Sequence, residues 1–406
     1  MSFRKILLSC TSLGLIASCD PRVFDDLSDS AWVHSAGKPS STEFAGFSAG
    51  LIGGSDGSGN LHYFVAAEKP ALLLVTYTKS GSRSSQEVLL EGRDQLPVPT
   101  IMASDPSAFA ATSGNVAVAV IANGTPALAM FRAENKEASS DFLLAGSTAA
   151  TGIAFGVTDI SAETDLLAAG GQDLNLVSDY KNKSGGAAES CSLGGATGGL
   201  ILADLDVSAG AEYVVGVAGT VVVGQASSIA TGSGCALLGA PIMAPGGEAS
   251  FGRTLTSGDF DGNGETDLVI AAPDENAVYV YMNWTVAVPT MGVKIANPAG
   301  SKAFGANVAV GDFNDDGQDE LVISDHARDA GGATGAGTVF IYGADNSGQF
   351  AAPIELYDAS PEGDQAFGKS LTVAKAFGGV SLVVGAKNEV FTYFRTPVSG
   401  DGDSRE

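Results

Sequence analysis

Two short stretches of the sequence place oxygen-bearing side chains at alternate positions around a glycine. The first, loop 1 (residues 259–267), follows the pattern D-x-D-x-N-G-x-x-D and contains Asp259, Asp261, Asn263, Gly264, Glu265 and Asp267. The second, loop 2 (residues 312–320), ends in glutamate instead of aspartate and contains Asp312, Asn314, Asp316, Gly317, Gln318 and Glu320. Ca²⁺ prefers about six to eight oxygen ligands, and side chains two residues apart in a tight loop point towards one centre.

The spacing therefore predicts a structural Ca²⁺ site in each loop, with side chains as ligands at the first, third, fifth and ninth positions. The seventh position, Glu265 or Gln318, contributes its backbone carbonyl, and the glycine before it permits the sharp turn. The alternative is an Asx-rich β-turn that holds no metal. An EF-hand is not expected, because loop 1 leads into a strand-like run, Leu268-Val269-Ile270, where an EF-hand would need a helix.

Other parts of the chain carry poorer versions of the same pattern. One comprises Asp204, Asp206, Ser208 and Glu212, but Ala209 stands where the turn needs glycine, which makes it a weak metal candidate. The stretch Ala374-Lys375-Ala376-Phe377 occupies the same place in the last repeat and has no acidic residue. We therefore expect Ca²⁺ mainly at loops 1 and 2.

Both loops lie at the same place in a repeated unit. Residues 250–281 and 303–342 each contain Phe-Gly, then the acidic loop, then a buried apolar run, then an alternating aromatic run; residues 366–394 repeat this without the acids. Weaker copies begin near residues 47, 109, 155 and 199. With a fourth strand in the connector, such as Met291 to Ala296, each unit predicts one four-stranded propeller blade.

The predicted fold is therefore an all-β propeller of seven four-stranded blades, with six or eight blades as alternatives. Because a ring of blades must close, a strand between Trp32 and Phe47 is expected to pair with the last blade.

The motifs Phe-Gly, Asp-Phe-Asp-Gly-Asn-Gly and Ala-Ala-Pro resemble FG-GAP repeats. The resemblance is strong over residues 249–395 and rests only on spacing and strand pattern over residues 43–248. FG-GAP repeats form the seven-bladed head of integrin α subunits and occur in bacterial surface proteins. The resemblance therefore implies a propeller with calcium-binding loops.

The charge of the chain argues against nucleic acid as a partner. The sequence has 46 acidic and 21 basic residues, a net charge of −25. Such a surface repels phosphate backbones. The composition of 45% hydrophobic residues and 54 glycines favours many short strands joined by tight turns.

The N-terminus predicts an export signal and a lipid anchor. Residues 1–18 have a positive start and a short apolar run, and Ile16-Ala17-Ser18-Cys19 resembles the bacterial lipobox, which implies lipidation of Cys19. The alternative is an ordinary signal peptide with a nearby cysteine. We expect residues 19–42 to form a tether, residues 43–395 the propeller and residues 396–406 a flexible tail.

The two remaining cysteines, Cys191 and Cys235, suit an oxidising compartment. Two leftover thiols there usually pair, so a disulfide is expected, with two separate buried thiols as the alternative.

Two familiar catalytic motifs, H-E-x-x-H and C-x-x-C, are absent from the sequence. His326 belongs to a surface loop or to a site on one face of the propeller. Trp284 caps a blade edge or stacks on a sugar or protein partner.

These observations predict a non-enzymatic, lipid-anchored propeller that binds Ca²⁺ and mediates protein or glycan interaction at the bacterial cell envelope. It would face the periplasm or the exterior, contact the membrane through its lipid and bind a protein or glycan of unknown identity. The alternatives are a polysaccharide hydrolase or lyase with its active site in the propeller, or a structural envelope protein.

Overall fold

The structure is a computed structural model of the chain. It describes residues 31–37, 49–55, 58–66, 71–78, 83–89, 102–104, 115–122, 125–132, 138–145, 150–160, 163–183, 185–205, 210–282, 292–376, 379–387 and 389–395. Within these ranges, β-strands are assembled into seven separate sheets, antiparallel except for one short parallel pair. The sheets are the blades of a β-propeller, which confirms the predicted fold class and blade number.

The strands are numbered in chain order, and β1 (Ala31–Gly37) belongs to the last blade. The first three blades comprise β2 (Ala49–Ser55), β3 (Leu61–Ala66), β4 (Ala71–Tyr77) and β5 (Arg83–Leu89); β6 (Met102–Ser104), β7 (Asn115–Ala122), β8 (Thr125–Arg132) and β9 (Ala138–Leu143); and β10 (Gly152–Val157), β11 (Thr164–Gly170), β12 (Asp173–Val177) and β14 (Glu189–Ser192). The short strand β13 (Gly186–Ala187) pairs in parallel with β9 and extends the second blade.

The fourth to seventh blades comprise β15 (Thr197–Ala203), β16 (Glu212–Val217), β17 (Thr220–Gly224) and β18 (Ile242–Met243); β19 (Thr254–Gly258), β20 (Asp267–Ala272), β21 (Ala277–Tyr281) and β22 (Val293–Ile295); β23 (Val308–Gly311), β24 (Glu320–Asp325), β25 (Thr338–Tyr342) and β26 (Ile354–Leu356); and β27 (Ser370–Ala376), β28 (Gly379–Gly385), β29 (Glu389–Arg395) and β1. The fourth strand predicted between Met291 and Ala296 is present as β22. Helical structure in the described ranges is limited to α1 (Ser227–Ala230) and 3₁₀ turns at Tyr180–Asn182 and Pro273–Glu275.

The last blade combines the first strand of the propeller, β1, with its last three strands, β27 to β29. Strand β1 pairs antiparallel with β29, with Trp32 opposite Phe394 and Gly37 opposite Glu389. This confirms the expected closing strand. It also means that the ring includes residues from within 19–42, the segment predicted as a tether. Closure pairs strands that would otherwise be exposed edges at the two ends of the array.

The middle strands of each blade are buried because neighbouring blades cover both of their faces. All six residues of β16, β20 and β24 are buried. A strand covered on both sides needs no polar alternation, which explains continuous apolar runs such as Leu268-Val269-Ile270.

The Phe-Gly motifs fill the spaces between blades. Phe251, Phe304 and Phe367 are at most 2% exposed, and each packs edge-on against an aromatic ring of the blade that follows it. The glycine of the motif has a left-handed backbone, with φ of 82° at Gly252. A Cβ at Gly252 would lie 2.8 Å from the Cα of Gly216 in the preceding blade, so only glycine fits there.

A disulfide ties the third blade to the fourth. Cys191 in β14 is bonded to Cys235, which follows α1, and their Cα atoms are 5.4 Å apart. The bridge closes a segment with a sequence separation of 44 residues. A loop of that size stabilises the folded chain by about 3–4 kcal/mol in the chain-entropy account.

Candidate metal centre

Loops 1 and 2 occupy the same turn of two neighbouring blades. Loop 1 connects β19 to β20 in the fifth blade, and loop 2 connects β23 to β24 in the sixth. The residue that ends each loop is also the first residue of the second strand. It pairs with a glycine at the end of the first strand: Gly258 opposite Asp267, and Gly311 opposite Glu320.

The first aspartate of loop 1 organises the turn. The Asp259 carboxylate accepts backbone N–H groups from Gly262 at 2.8 Å, Asn263 at 3.1 Å and Gly264 at 2.8 Å. Three donors on one carboxylate close the loop around it, and they leave the remaining carboxylates to face the same centre. Gly262 and Gly264 have φ of 72° and 83°, a conformation that glycine adopts without strain.

The last aspartate of loop 1 is fully buried. Asp267 has no exposed surface, and its Oδ2 accepts the backbone N–H of Phe260 at 2.9 Å. This bond pins the start of the loop to the start of β20.

The carboxylates of loop 1 are spaced as ligands of one ion. Oxygens from Asp259, Asp261 and Asp267 all lie within 4.8 Å of one another. Two oxygens bound to one Ca²⁺ at about 2.3–2.6 Å are at most about 5 Å apart, so this spacing fits a calcium cage. The structure thus brings together three of the five residues that the sequence predicts for this site.

The other two predicted residues of loop 1, Asn263 and Glu265, border the same turn. The Oδ1 of Asn263 accepts the N–H of Glu265 at 2.6 Å. Both side chains are exposed, and Glu265 was expected to contribute only its backbone carbonyl.

Loop 2 repeats the backbone arrangement of loop 1. The Asp312 carboxylate accepts N–H groups from Asp316 at 3.1 Å and Gly317 at 3.0 Å. The Oδ1 of Asp316 accepts the N–H of Gln318 at 2.9 Å, and Glu320 Oε2 accepts the N–H of Phe313 at 2.8 Å. Each of these bonds has a counterpart at the same position in loop 1.

The centre of loop 2 differs from that of loop 1. The Nδ2 of Asn314 donates to Asp316 Oδ2 at 3.0 Å and to Glu320 Oε1 at 3.1 Å. An amide NH₂ group therefore lies between two carboxylates, in the place where a cation would attract both. Among the described residues, a set of three converging acidic side chains is found at loop 1 and not at loop 2.

The electrostatics of loop 2 favour a cation. Burial, together with the charges of Asp316, Asp312 and Asp319, raises the pKa of Glu320 to about 8, although the N–H of Phe313 acts in the opposite direction. A carboxyl that is costly to ionise because it is buried and has acids nearby gains from any nearby positive charge. The donor set of loop 2 thus fits a divalent ion once Asn314 turns its oxygen inward.

Buried carboxylates recur at the same strand position in four successive blades. Glu212, Asp267 and Glu320 each begin a second strand, Asp165 is the second residue of β11, and all four are at most 2% exposed. Glu212 Oε2 accepts the N–H of Leu205 at 2.9 Å, just as Asp267 and Glu320 accept from Phe260 and Phe313. The acid therefore has a structural role that does not require a metal.

Sequence analysis missed Asp165 as a member of this series. Its carboxylate accepts the Thr158 hydroxyl and the N–H of Asp179. The available signal was an acid directly before the apolar run Leu166-Leu167-Ala168, as at the other three positions.

A small cavity lies beside the loops at the inner strands of the last three blades. It has a volume of about 400 Å³, and its lining includes Thr256, Ser257, Val310, Asp312, Asp319 and Lys375. Burial and the charges of Asp312 and Asp259 raise the pKa of Asp319 above its ordinary value, while the Asp259 N–H and Lys375 act in the opposite direction.

Several other sequence candidates are placed less informatively. Cys19, Asp206, Ser208 and Trp284 lie outside the described residues. His326 follows β24 and is half-buried, and burial and Lys369 lower the pKa of its imidazole. No helix in the described part of the chain is long and apolar enough to cross a membrane.

Comparison with known sequences identifies the repeats. The FG-GAP repeat family model matches residues 251–281 and 304–342, which contain loops 1 and 2. Human integrin alpha-7 is 30% identical over 167 residues, which cover 36% of this chain and 13% of integrin alpha-7. The chain therefore spans only a small part of the length of that relative.

Comparison with solved structures concerns the fold alone, because the sequence identities are low. A chain in the crystal structure of the mitotic checkpoint complex has a TM-score of 0.56 at 11% identity, over 97% of this chain and 99% of that chain. A chain in the crystal structure of BBS1N in complex with ARL6DN, soaked with lead, has a TM-score of 0.54 at 13% identity, over 91% and 98%. This chain is thus an all-β, seven-bladed propeller that carries FG-GAP repeats in its fifth and sixth blades.

Proposed function

We propose that this chain is a calcium-binding propeller that mediates protein or glycan interaction at the bacterial cell envelope, where a lipid on Cys19 anchors it. The carrying observation is the pair of equivalent loops, of which loop 1 holds three carboxylates within 4.8 Å of one another. A lone acidic turn would be weaker support, because turns rich in aspartate are common without metal.

In each loop, the chain's own residues would hold the ion as a structural ligand. Asp259, Asp261, Asn263 and Asp267 and the carbonyl of Glu265 would surround it in loop 1; Asp312, Asn314, Asp316 and Glu320 and the carbonyl of Gln318 would do so in loop 2. Bound Ca²⁺ would supply positive charge that offsets the repulsion among these carboxylates. Loops 1 and 2, which connect the first and second strands of two adjacent blades, would then be rigid.

Two features support a location outside the cytoplasm. The disulfide between Cys191 and Cys235 suits an oxidising compartment. Calcium sites of extracellular modules typically have dissociation constants of about 10⁻⁴ to 10⁻³ M, which only a calcium-rich compartment fills. The lipobox-like sequence that ends in Cys19 provides the proposed attachment to the membrane.

The interaction role rests on the fold and its FG-GAP repeats. A rigid ring of blades presents loops from many blades on one face, which suits a broad protein or glycan surface. Fold alone does not determine function, so the ligand class needs a direct test. A polysaccharide hydrolase or lyase and a structural envelope protein stay predictions from the sequence.

Calcium-dependent thermal unfolding of the whole chain tests the metal sites. After chelator treatment, calcium at about a hundredfold excess over the dissociation constant should stabilise the chain by about 2.7 kcal/mol per site. The gain should be smaller in Asp259→Ala and in Asp312→Ala. An unchanged melting temperature in chelator-treated wild type on adding about 10 mM Ca²⁺ would reject both sites.

Fractionation of cells that express the chain tests the anchor. The wild type should be recovered in the membrane fraction and Cys19→Ser in the soluble fraction. A wild type that is soluble in a lipoprotein-processing host would reject the anchor. Binding of the soluble variant to glycan and surface-protein arrays, with calcium and with chelator, then tests the interaction role.

A further inference from the structure

Asp319 lies where loops 1 and 2 meet, at the boundary between the fifth and sixth blades. Its backbone N–H donates to the carbonyl oxygen of Asp259 at 2.8 Å. Its Oδ2 accepts the backbone N–H of Asp259 at 3.0 Å. Asp259 is the first proposed ligand of loop 1, and Asp319 stands between the last two proposed ligands of loop 2, Gln318 and Glu320.

The two loops are also closely packed against each other at this boundary. A Cβ added at Gly258 would lie 2.9 Å from Asp319 Oδ2. A Cβ added at Gly262 would lie 2.9 Å from the Cγ of Gln318. Because close-packed contacts transmit displacement, a shift of residues 318–320 must move the backbone of loop 1.

The equivalent residues of the fourth, fifth and seventh blades have no carboxylate for this link. Between the third and fourth blades, Ala211 makes the equivalent backbone bond, from its N–H to the carbonyl of Val157 at 2.8 Å. Ala211 has no side-chain acceptor, and the residues at this position in the fifth and seventh blades are Thr266 and Val380. Among the fourth to seventh blades, a carboxylate therefore stands at this position in the sixth, where two acidic loops are adjacent.

We propose that Asp319 is a positioning residue that couples the two cation sites, so that an ion in either loop raises the affinity of the other loop for Ca²⁺. This inference rests on the proposed function. Ligation by Gln318 and Glu320 fixes the residue between them, and Asp319 then holds the backbone of Asp259 in place. The coupling must be reciprocal, because binding free energies are linked.

Calorimetric titration of the whole chelator-treated chain with Ca²⁺ measures the coupling. Asp261→Ala leaves loop 2 alone, Asp316→Ala leaves loop 1 alone, and the wild type retains both. We expect the constant for filling both loops in the wild type to exceed the product of the two single-loop constants by about fivefold or more. In an Asp319→Ala background this ratio should fall to unity, and a ratio unchanged from wild type would overturn the proposal.

Two further variants separate the proposed contact from a general loss of structure. Thr266→Ala changes the same position in the fifth blade and should keep the wild-type ratio. Asp319→Asn retains an oxygen acceptor for the Asp259 N–H and should keep most of the coupling, whereas a ratio of unity in Asp319→Asn would contradict the hydrogen-bond origin. Failure of the proposed function looks different: no binding heat would be seen in any protein, whereas independent binding at both loops overturns the coupling alone.

Discussion

Loops 1 and 2 share a backbone and differ at its centre. Both hold their first aspartate with the N–H groups of the turn, and both bury the last acid against the N–H of a phenylalanine. Loop 1 has an acid at its third position and converging carboxylates, whereas loop 2 has Asn314, whose amide lies between Asp316 and Glu320. The backbone of the turn is thus the same whether the third residue is an acid or an amide.

The seventh blade extends this comparison. The positions of Asp312 and Glu320 are occupied there by Lys375 and Ser381, and the first two strands are joined by a much shorter turn. A loop without the first acid lacks the carboxylate that accepts the N–H groups of the turn. A loop without the last acid lacks the carboxylate that fixes the start of the loop to the second strand. We therefore expect the first and last acids to set the shape of the turn, and the third and fifth positions to adjust the affinity of the proposed cation sites.

The largest expected effect separates the buried anchoring acid, Asp267, from Asp261, a half-buried proposed ligand whose Oδ1 accepts the N–H of Asn263 at the longer distance of 3.3 Å. Asp267→Ala leaves the Phe260 N–H buried without its acceptor, so the free energy of unfolding should fall by about 3 kcal/mol even in chelator. Asp261→Ala is the matched control, since it removes a loop 1 ligand and should cost less than about 1 kcal/mol in chelator. Equal losses for the two variants in chemical denaturation would contradict the separate roles.

A second prediction concerns the shared turn. Gly264 and Gly317 have φ of 83° and 88°, and a Cβ at either would meet open space. Gly264→Ala and Gly317→Ala should therefore each cost about 1–2 kcal/mol from backbone strain alone. Denaturant unfolding in chelator measures this loss. If one variant were neutral, the two turns would not be equivalent.

Exchange of the third residue should alter the difference in ion affinity. Asn314→Asp removes the amide from between Asp316 and Glu320 and adds a negative ligand, so calcium affinity at loop 2 should rise about tenfold, or about 1.4 kcal/mol. Asp261→Asn should weaken loop 1 by a similar factor. Calcium titration checks both, and the contrast fails if Asn314→Asp binds no more tightly than the wild type.

The smallest expected effect lies at the fourth position of the loops, where loop 1 has a glycine and loop 2 has an aspartate with the same left-handed backbone. Asp315 has φ of 63°, where loop 1 has Gly262. Asp315→Gly should stabilise the chain by about 0.5 kcal/mol, because glycine adopts this conformation without strain. Thermal unfolding in chelator measures the gain. Gly262→Asp is the reverse control and should destabilise, since its Cβ would meet Gln318 at 2.9 Å.

The repeat and the loops could be predicted from the sequence because both depend on local spacing. Phe-Gly, the alternating acids and the apolar run have the same relative spacing in residues 251–270 and 304–323, and the need to close a ring pointed to a strand near Trp32. The roles of Asn314 and Asp319 could not be predicted. An amide and a carboxylate look alike in a pattern of ligands, and the contact from Asp319 to Asp259 depends on packing between blades.

The most direct test of the account is the number of calcium ions that the chelator-treated chain takes up at saturation. Equilibrium dialysis with metal analysis should show one ion fewer in Asp259→Ala than in the wild type, one fewer in Asp312→Ala, and two fewer in the double variant. Circular dichroism should show that all four proteins keep their strands. Equal calcium uptake by the wild type and the folded double variant would contradict the assignment of loops 1 and 2 as metal sites.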